Sequence, residues 1–264
     1  MSNSNVYDDL IADGDDVEAL VTDLGADEWS TATPAPGWTV KHQIAHLAFV
    51  AQLAALATSR PEAFAAHVAD AERDFQGAVD AALTVYLKLS DGELVDKWRQ
   101  ERNSAAKALA AVEPTATVPW LVNPLPPSVL AAAGMMELFG HGQDIADAVG
   151  RTRELTDRIG HLAWFGVRTR DFGYLAHGLM PPAEEFRVEL IGPSGVRWEF
   201  GPADATQRVS GPAVDFALLV SRRRHRDDLA LTAEGEEADR WLDIAQAYRG
   251  PAGAGRRPGQ FAKR

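Results

Sequence analysis

Before residue 180, apolar side chains recur along the chain at helical spacing. In the first stretch Val6, Leu10 and Val17 are separated by aspartates, a pattern typical of an amphipathic helix with a solvated acidic face, and Gly25 is predicted to end it. The same spacing predicts helices at residues 39–56, 61–87, 93–112, 128–149 and 156–177. Thr39 and Ser128 are the predicted N-caps of two of them.

After residue 180 the hydrophobic period changes from helical to two. Phe186, Val188 and Leu190 alternate with charged residues, and a second alternating run at 196–200 follows a turn at 192–195, which predicts a β-hairpin. The remainder predicts short strands at 207–209 and 229–232, helices at 212–220 and 236–248, and a mobile basic tail at 249–264. The predicted fold class is α+β, with a helical domain at residues 1–179 and a smaller α/β domain at residues 180–264.

Composition and charge narrow the class of protein. The formal net charge of -12 argues against a nucleic-acid partner, since affinity for phosphate backbones depends on Lys and Arg. The absence of cysteine excludes disulfides, a cysteine nucleophile and thiolate metal ligands. The N-terminus has no signal pattern and no apolar run reaches membrane-spanning length. We therefore expect a cytoplasmic protein that does not enter a membrane, either a monomer or a homodimer.

The most informative stretch is a stripe of ionisable residues in an apolar helical run. Glu137 and His141 are one helical turn apart on one face, and Asp144 continues the same stripe. Buried charge is costly unless it is paired or bound to a metal ion, so the stripe predicts that Glu137 and His141 are metal ligands. Asp144 is either an acceptor that orients an imidazole ligand or a carboxylate on the helix surface.

A second histidine pair lies on the helix at residues 39–56. His42 and His46 are four apart, but only His46 lies among apolar neighbours, so His46 is predicted to face inward and His42 to be exposed. By itself His46 is a core histidine with a satisfied hydrogen bond, or a metal ligand. The Glu137 and His141 pair favours the metal interpretation, because three such residues could meet inside a helical bundle.

Two sets of cationic residues are candidates for binding a substrate or a thiol. Arg99 and Arg102 lie three apart on one helix and are either surface charge or an anion-binding pair. The segment 221–228 is rich in cationic groups and ends in two aspartates, so it is either a solvated loop or an anion-binding patch at the seam between domains. The candidates in this segment are Arg222, Arg223, His225 and Arg226.

Two motifs carry a family resemblance. The segment Pro36-Gly37-Trp38-Thr39-Val40 with Ala45-His46-Leu47, and the run from Glu137 through His141 to Ala146, resemble the mycothiol-dependent maleylpyruvate isomerase family of the DinB/YfiT-like metalloenzyme superfamily. The C-terminal half resembles that of uncharacterised actinobacterial relatives. This resemblance implies a DinB-like four-helix bundle and a C-terminal domain similar to sterol-carrier folds. It also implies a divalent metal, usually zinc, held by His46, Glu137 and His141.

Two histidines and one carboxylate leave an open coordination position, which is the catalytic arrangement for zinc. A thiol at that position loses its proton, which supplies a nucleophile without a cysteine in the protein. The predicted function is therefore a Zn²⁺-dependent (or other divalent-metal) enzyme that uses a low-molecular-weight thiol such as mycothiol. It would act as an isomerase or S-transferase on a small electrophilic substrate. The alternatives are a zinc-hydroxide hydrolase or lyase and a non-catalytic, metal-containing ligand-binding protein.

Overall fold

The computed structural model of the protein describes residues 5–121 and 123–261, of which residues 70–72, 75 and 76 are described by their backbone alone. The chain divides into two compact units, one ending at Arg153 and the other beginning at Glu154. The boundary expected at 179/180 lies inside the second unit. The helices just before that boundary pack on elements of the second unit, which is why they belong to it.

The first unit is helical. Its helices are α1 (Val6–Ala19), α2 (Ala26–Trp29), α3 (Val40–Ser59), α4 (Pro61–Arg73), α5 (Phe75–Leu87), α6 (Asp91–Ala110) and α7 (Pro127–Val149). Helices α1, α3, α6 and α7 pack against one another around buried side chains such as Ile44, Leu94 and Ile145. The predicted four-helix bundle is confirmed, and its core is formed by the apolar stripes that the helical spacing identified.

Helix ends follow local chemistry that the hydrophobic pattern does not contain. The predicted cap Ser128 is wrong: α7 starts at Pro127, because proline has the dihedral angle of a first helical residue and needs no amide hydrogen there. Its predicted stop at Gly150 is confirmed, with a left-handed φ of 68°. The helix predicted at 61–87 is interrupted at Asp74, whose carboxylate accepts the Gly77 amide at 3.0 Å and caps α5.

An ion-pair network joins α1 to α6. The Arg102 side chain is only 5 % exposed and donates to Glu18 at 2.7 Å and to Asp15. Arg99 also binds Glu18 and reaches Asp96, but its side chain is 44 % exposed. Burial raises the pKa of Glu18, yet hydrogen bonds from Arg99 and Arg102 outweigh it and hold that pKa below its usual value. The surface-charge interpretation is therefore wrong for Arg102, which is a buried link between two bundle helices.

The second unit is a small α/β structure. Its elements are α8 (Ile159–Arg168), α9 (Asp171–Ala176), β1 (Phe186–Ile191), β2 (Arg197–Phe200), β3 (Gln207–Pro212), α10 (Ala213–Val220), a 3-10 turn (Arg226–Asp228), β4 (Thr232–Glu234) and α11 (Glu236–Ile244). The strands form a sheet in the order β2-β1-β3-β4. The predicted hairpin is confirmed as β1 and β2, paired antiparallel with Leu190 opposite Trp198. Strand β3 lies parallel to β1 on its other side, with Val188 opposite Val209.

Helices cover this sheet around one buried indole. The ring of Trp241 on α11 lies 5.7 Å from the rings of both Phe186 and Phe216, in edge-on or steeply tilted contact.

Two predicted elements of this unit have different bounds in the structure. The helix expected at 156–177 is divided into α8 and α9 around Thr169, whose hydroxyl turns back to the Phe165 carbonyl. The strand expected at 229–232 is β4 and begins only at residue 232.

Among the described residues, no helix has both the length and the apolar character needed to cross a bilayer.

The burial of Arg102 predicts a large stability effect. Arg102→Ala leaves Glu18 and Asp15 without their buried partner. The free energy of unfolding, measured in urea, should therefore fall by about 3 kcal/mol. Arg99→Ala is the matched control, because Arg99 binds the same Glu18 from a largely exposed position; its cost should stay below about 1 kcal/mol. Equal losses in both variants would contradict the assignment of Arg102 as the buried link.

The second unit contains a glycine that is required by close packing. A Cβ on Gly173 of α9 would lie 2.3 Å from the carbonyl oxygen of Ile244, so Gly173→Ala should lower stability by about 1–3 kcal/mol although alanine favours helices. Gly92 of α6 has open space around its Cβ position, and Gly92→Ala should instead raise stability by about 0.5–1 kcal/mol. Calorimetric unfolding of both variants measures the contrast, and a neutral Gly173→Ala would refute it.

Candidate metal centre

Three side chains from two helices of the bundle converge. Helix α7 supplies Glu137 and His141 one turn apart, and α3, which packs against α7, supplies His46. The Glu137 Oε2 atom lies 3.1 Å from the Nε2 atom of His141 and 3.5 Å from that of His46. One possible ligand atom from each residue lies within 4.8 Å of the other two. The fold therefore brings these three residues together, as the sequence predicted.

A tight turn places an indole ring over the histidines. The Trp38 amide donates to the Ala35 carbonyl at 3.1 Å, and Gly37 at the third position of this turn has a φ of 78°, as a type II turn after proline requires. The Trp38 ring stacks on His141 at 5.8 Å between centroids with planes 19° apart, and it lies 5.2 Å from the ring of His46. The motif at residues 36–40 therefore forms one wall of the site.

A buried amide, which the sequence analysis did not identify, contacts one of the histidines. Gln43 is fully buried, and its Oε1 atom is in short contact with the Nδ1 atom of His141. Its Nε2 atom donates to the Thr33 hydroxyl at 2.7 Å, and that hydroxyl donates to the Trp38 carbonyl at 3.0 Å. A glutamine three residues before His46 on an otherwise apolar face was the available signal, because such a residue must find partners inside the protein.

His42 and Asp144 are both more buried than expected. His42 is half-buried, not exposed: its Nδ1 atom lies 2.9 Å from the Thr39 hydroxyl at the start of α3, and burial lowers its pKa. It does not belong to the converging group, in agreement with the sequence argument. Asp144 is 1 % exposed, which rules out the helix-surface alternative. Its role as an acceptor for an imidazole ligand stays a prediction.

The electrostatics of the group favour an ionised carboxylate. Burial raises the pKa of Glu137, but hydrogen bonds and charge from His141 and His46 outweigh it and hold the pKa well below its usual range. Glu137 therefore presents a negative charge toward two imidazoles. The three side chains remain 12–25 % exposed, so none of them is fully enclosed by the bundle.

The donor set suits a divalent transition-metal ion, and two of its spacings can be compared with zinc geometry. Bonds of about 2.0–2.1 Å from a tetrahedral ion to N and O ligands separate those ligands by about 3.3–3.4 Å, and the two distances from Glu137 lie on either side of that value. Two imidazole nitrogens and one carboxylate oxygen are also the ligand types that suit zinc and other divalent transition metals. The residues present could therefore hold such an ion and leave a position for a further ligand.

The proline-rich connection between the end of α6 and the start of α7 packs on the bundle. Val118 and Leu125 pair across it in an antiparallel bridge, and the Trp120 ring stacks on Phe64 at 5.7 Å. Trp120 and Leu125 also contact the apolar core of the first unit. The connection is therefore a packed element of the bundle.

The arginine candidates have protein partners. Arg99 and Arg102 bind carboxylates of the first unit, as described above. In the second unit Arg226 donates to Asp239 and Asp243 of α11, at 2.6 and 2.8 Å. His225 accepts a hydrogen bond from the Asp227 amide at 3.2 Å and so caps the 3-10 turn.

The remaining cationic residues of segment 221–228 contact the C-terminal tail or the nearby backbone. Arg222 has a left-handed φ of 59° and lies 3.5 Å from the Gly253 carbonyl, and the Arg223 guanidinium donates to the Ser221 carbonyl at 2.5 Å. Arg224 stacks on Phe261 at 3.9 Å. Tail residues Gly253 and Phe261 therefore contact this segment, and the mobility expected of the tail at 249–264 stays a prediction; residues 262–264 lie outside the described part. Binding of a substrate or thiol by Arg222, Arg223, His225 or Arg226 stays a prediction.

Comparisons with known proteins cover the part of the chain that contains the site. The family model described as the mycothiol maleylpyruvate isomerase N-terminal domain matches residues 11–146, which include all three converging residues. A second model, described as wyosine base formation, matches residues 182–234. Two uncharacterised proteins of Mycobacterium tuberculosis, MT0041 of strain CDC 1551 / Oshkosh and Rv0036c of strain ATCC 25618 / H37Rv, are each 45 % identical over 248 residues. Each match covers 94 % of this chain and 96 % of the relative.

The fold also has solved counterparts. Crystal structures of the mycothiol-dependent maleylpyruvate isomerase and of one of its histidine-to-alanine mutants superpose with a TM-score of 0.52 at 15 % identity. The match covers 81 % of this chain and 86 % of theirs, which shows a common fold of helical N-terminal and small C-terminal sheet domains. Because this family model matches more than half of the residues of this chain, the chain belongs to the mycothiol-dependent maleylpyruvate isomerase family.

Proposed function

We propose that this protein is a metal-dependent enzyme that uses a low-molecular-weight thiol such as mycothiol. It acts on a small electrophilic substrate, either as an isomerase or as an S-transferase that leaves the thiol sulfur bonded to the substrate. The observation that carries the proposal is the convergence of His46, Glu137 and His141 at a partly exposed position of the bundle. The family implies isomerase-like activity that depends on mycothiol. Zinc is the ion we propose, since the spacing of the ligand atoms suits its bond lengths.

The charge of the site supports a thiol as the co-substrate. One carboxylate and two neutral imidazoles would leave a divalent ion with a net charge of about +1, which favours an anionic further ligand. A bound ion of this kind stabilises the thiolate form of a thiol. The chain contains no cysteine, so a sulfur nucleophile has to come from a co-substrate.

The chemistry then follows from the nucleophile. In an isomerase the thiolate sulfur forms a bond to one carbon of an activated double bond, and the π electrons move to the activating carbonyl group. Rotation about the resulting single bond and expulsion of the thiolate restore the double bond in the other geometry. In an S-transferase the new carbon–sulfur bond is retained and the displaced electron pair takes up a proton or leaves with a leaving group. Trp38, stacked beside His141, provides an apolar wall for such a substrate.

The proposed site determines the metal content expected of the purified protein. Purified protein should contain about one zinc ion per chain, and Glu137→Ala should lose it because the charged ligand is removed. His42→Ala is the matched control, since His42 lies one turn before His46 on the same helix but outside the group, and it should keep its zinc. Elemental analysis of the three proteins measures this, and zinc retained by Glu137→Ala would remove the basis of the site.

A further prediction concerns the thiol. Titration calorimetry of the zinc-loaded protein with mycothiol should show saturable binding that disappears in Glu137→Ala. Turnover of an electrophilic substrate should require added thiol and saturate with it, because the protein supplies no sulfur of its own. Turnover at full rate without thiol would instead favour a hydrolase or lyase that uses water at the same position. Zinc-loaded protein that binds no thiol would refute the proposal.

A further inference from the structure

We infer that Gln43 is a positioning residue that selects the tautomer of His141, and that the Trp38 carbonyl sets the direction of the Gln43 amide through Thr33. The inference deepens the proposed function, because it rests on the metal site of His46, Glu137 and His141. It concerns a residue that does not touch the metal or the substrate. Its basis is a chain of directed hydrogen bonds from a backbone carbonyl to an imidazole ring.

The direction of this chain of hydrogen bonds is fixed by its first member, the Trp38 carbonyl. A carbonyl oxygen accepts hydrogen bonds and cannot donate them, so the Thr33 hydroxyl, 3.0 Å from the Trp38 carbonyl, is the donor of that bond. The hydroxyl has one hydrogen, so it can only accept from Gln43 at 2.7 Å. The Gln43 group that faces Thr33 must then be the NH₂ group. Its Oε1 atom is left facing His141.

The last member of the chain is the imidazole. An amide oxygen only accepts, so the Nδ1 atom of His141 must carry the hydrogen in this contact. The hydrogen that Nε2 donates to Glu137, 3.1 Å away, is then the one that a bound metal ion would replace, which leaves the neutral ring with its lone pair on Nε2. This is the tautomer that a ligand bound through Nε2 requires. Metal-binding histidines generally donate their other N–H to a neighbouring acceptor, and Gln43 provides that acceptor here.

Burial allows this chain of hydrogen bonds to select one tautomer of His141. Gln43 has no exposed surface, so water does not compete for its oxygen, and leaving it unpaired would be costly. The contrast with the other imidazole is informative: among the described residues, the buried Nδ1 atom of His46 has no hydrogen-bond partner. The ring of His46 is instead contacted by the rings of Trp38 and His141, at 5.2 and 4.6 Å. His141 is therefore the imidazole of the pair whose Nδ1 edge is held by a hydrogen bond.

The turn before α3 fixes His141 in two ways. The Thr33 amide and hydroxyl both bind the Trp38 carbonyl, which closes the loop between them. The Trp38 ring from this loop stacks on the face of His141, while the hydrogen-bond chain from the same loop holds its Nδ1 edge. Face and edge of one imidazole are thus set by residues 33–43.

The test measures zinc affinity by competition with a chelator. Gln43→Leu keeps a similar volume but removes the acceptor, and it should weaken zinc binding by about 10–100-fold. Gln43→Glu keeps an acceptor oxygen for His141 but loses the donor to Thr33, so its zinc affinity should lie between those of Gln43→Leu and the wild type. Gln143→Leu is the matched control on α7, because the Gln143 amide binds Asp147 at 2.9 Å, and it should leave the affinity unchanged.

A second pair of variants leaves Gln43 in place and decides the question if Gln43→Leu does not fold. Thr33→Val removes the hydroxyl that orients the amide and should weaken zinc binding, whereas Thr33→Ser keeps the hydroxyl and should restore it. Nitrogen-15 NMR of the zinc-loaded wild type should show His141 with a proton on Nδ1 and zinc on Nε2. A merely structural role of Gln43 would not fix this assignment. Zinc on Nδ1 would overturn the inference, and so would wild-type affinity in Thr33→Val and Gln43→Leu.

The outcomes separate this inference from the proposed function. A wild-type protein that binds no zinc would overturn both. Zinc binding that does not respond to Gln43→Leu or Thr33→Val would overturn only the role of Gln43. Zinc affinity that depends on Gln43 in a protein that ignores thiol would support the role of Gln43 and overturn the thiol-dependent function.

Discussion

A carboxylate and two imidazoles can lie together inside an apolar bundle only if their charges and polar atoms are compensated. Here the compensation begins with the packing of α3 on α7, which sets His46 against Glu137 and His141. The negative charge of Glu137 is stabilised by the two imidazoles, as the lowered pKa of its carboxyl group shows. A divalent ion would complete the balance, since it accepts all three ligand atoms at once.

The polar groups around this site are arranged by one short segment. The turn that contains Pro36 and Gly37 brings the Trp38 ring over the histidines and starts the chain of hydrogen bonds that ends on His141. Such a buried network is useful only when each member is satisfied, because a partly satisfied network is less stable than an apolar core. The two motifs quoted for the family resemblance include this segment and part of α7, and both contribute residues to the site.

Positive charge in this protein is largely used to hold structural elements together. Arg102 links α1 to α6, and Arg226 links the segment at 221–228 to α11. Arg224 holds Phe261 of the C-terminal tail. A sequence pattern shows where guanidinium groups lie along the chain, but the fold decides which carboxylates they meet.

Hydrophobic period predicted the helices and the hairpin of the second unit, and helical spacing paired Glu137 with His141, because these are local properties. The four-helix bundle was implied by the family resemblance, and the meeting of His46 with this pair depended on the packing of α3 on α7. The sequence by itself did not determine where the compact units divide, that Arg102 is buried, or that Gln43 reaches His141. Those facts depend on residues far apart in sequence: Gln43 and His141 come from different helices, and Arg102 meets its acidic partners on α1. Tertiary packing decided them, because the cost of burying a polar group depends on which partners the fold brings within hydrogen-bond distance.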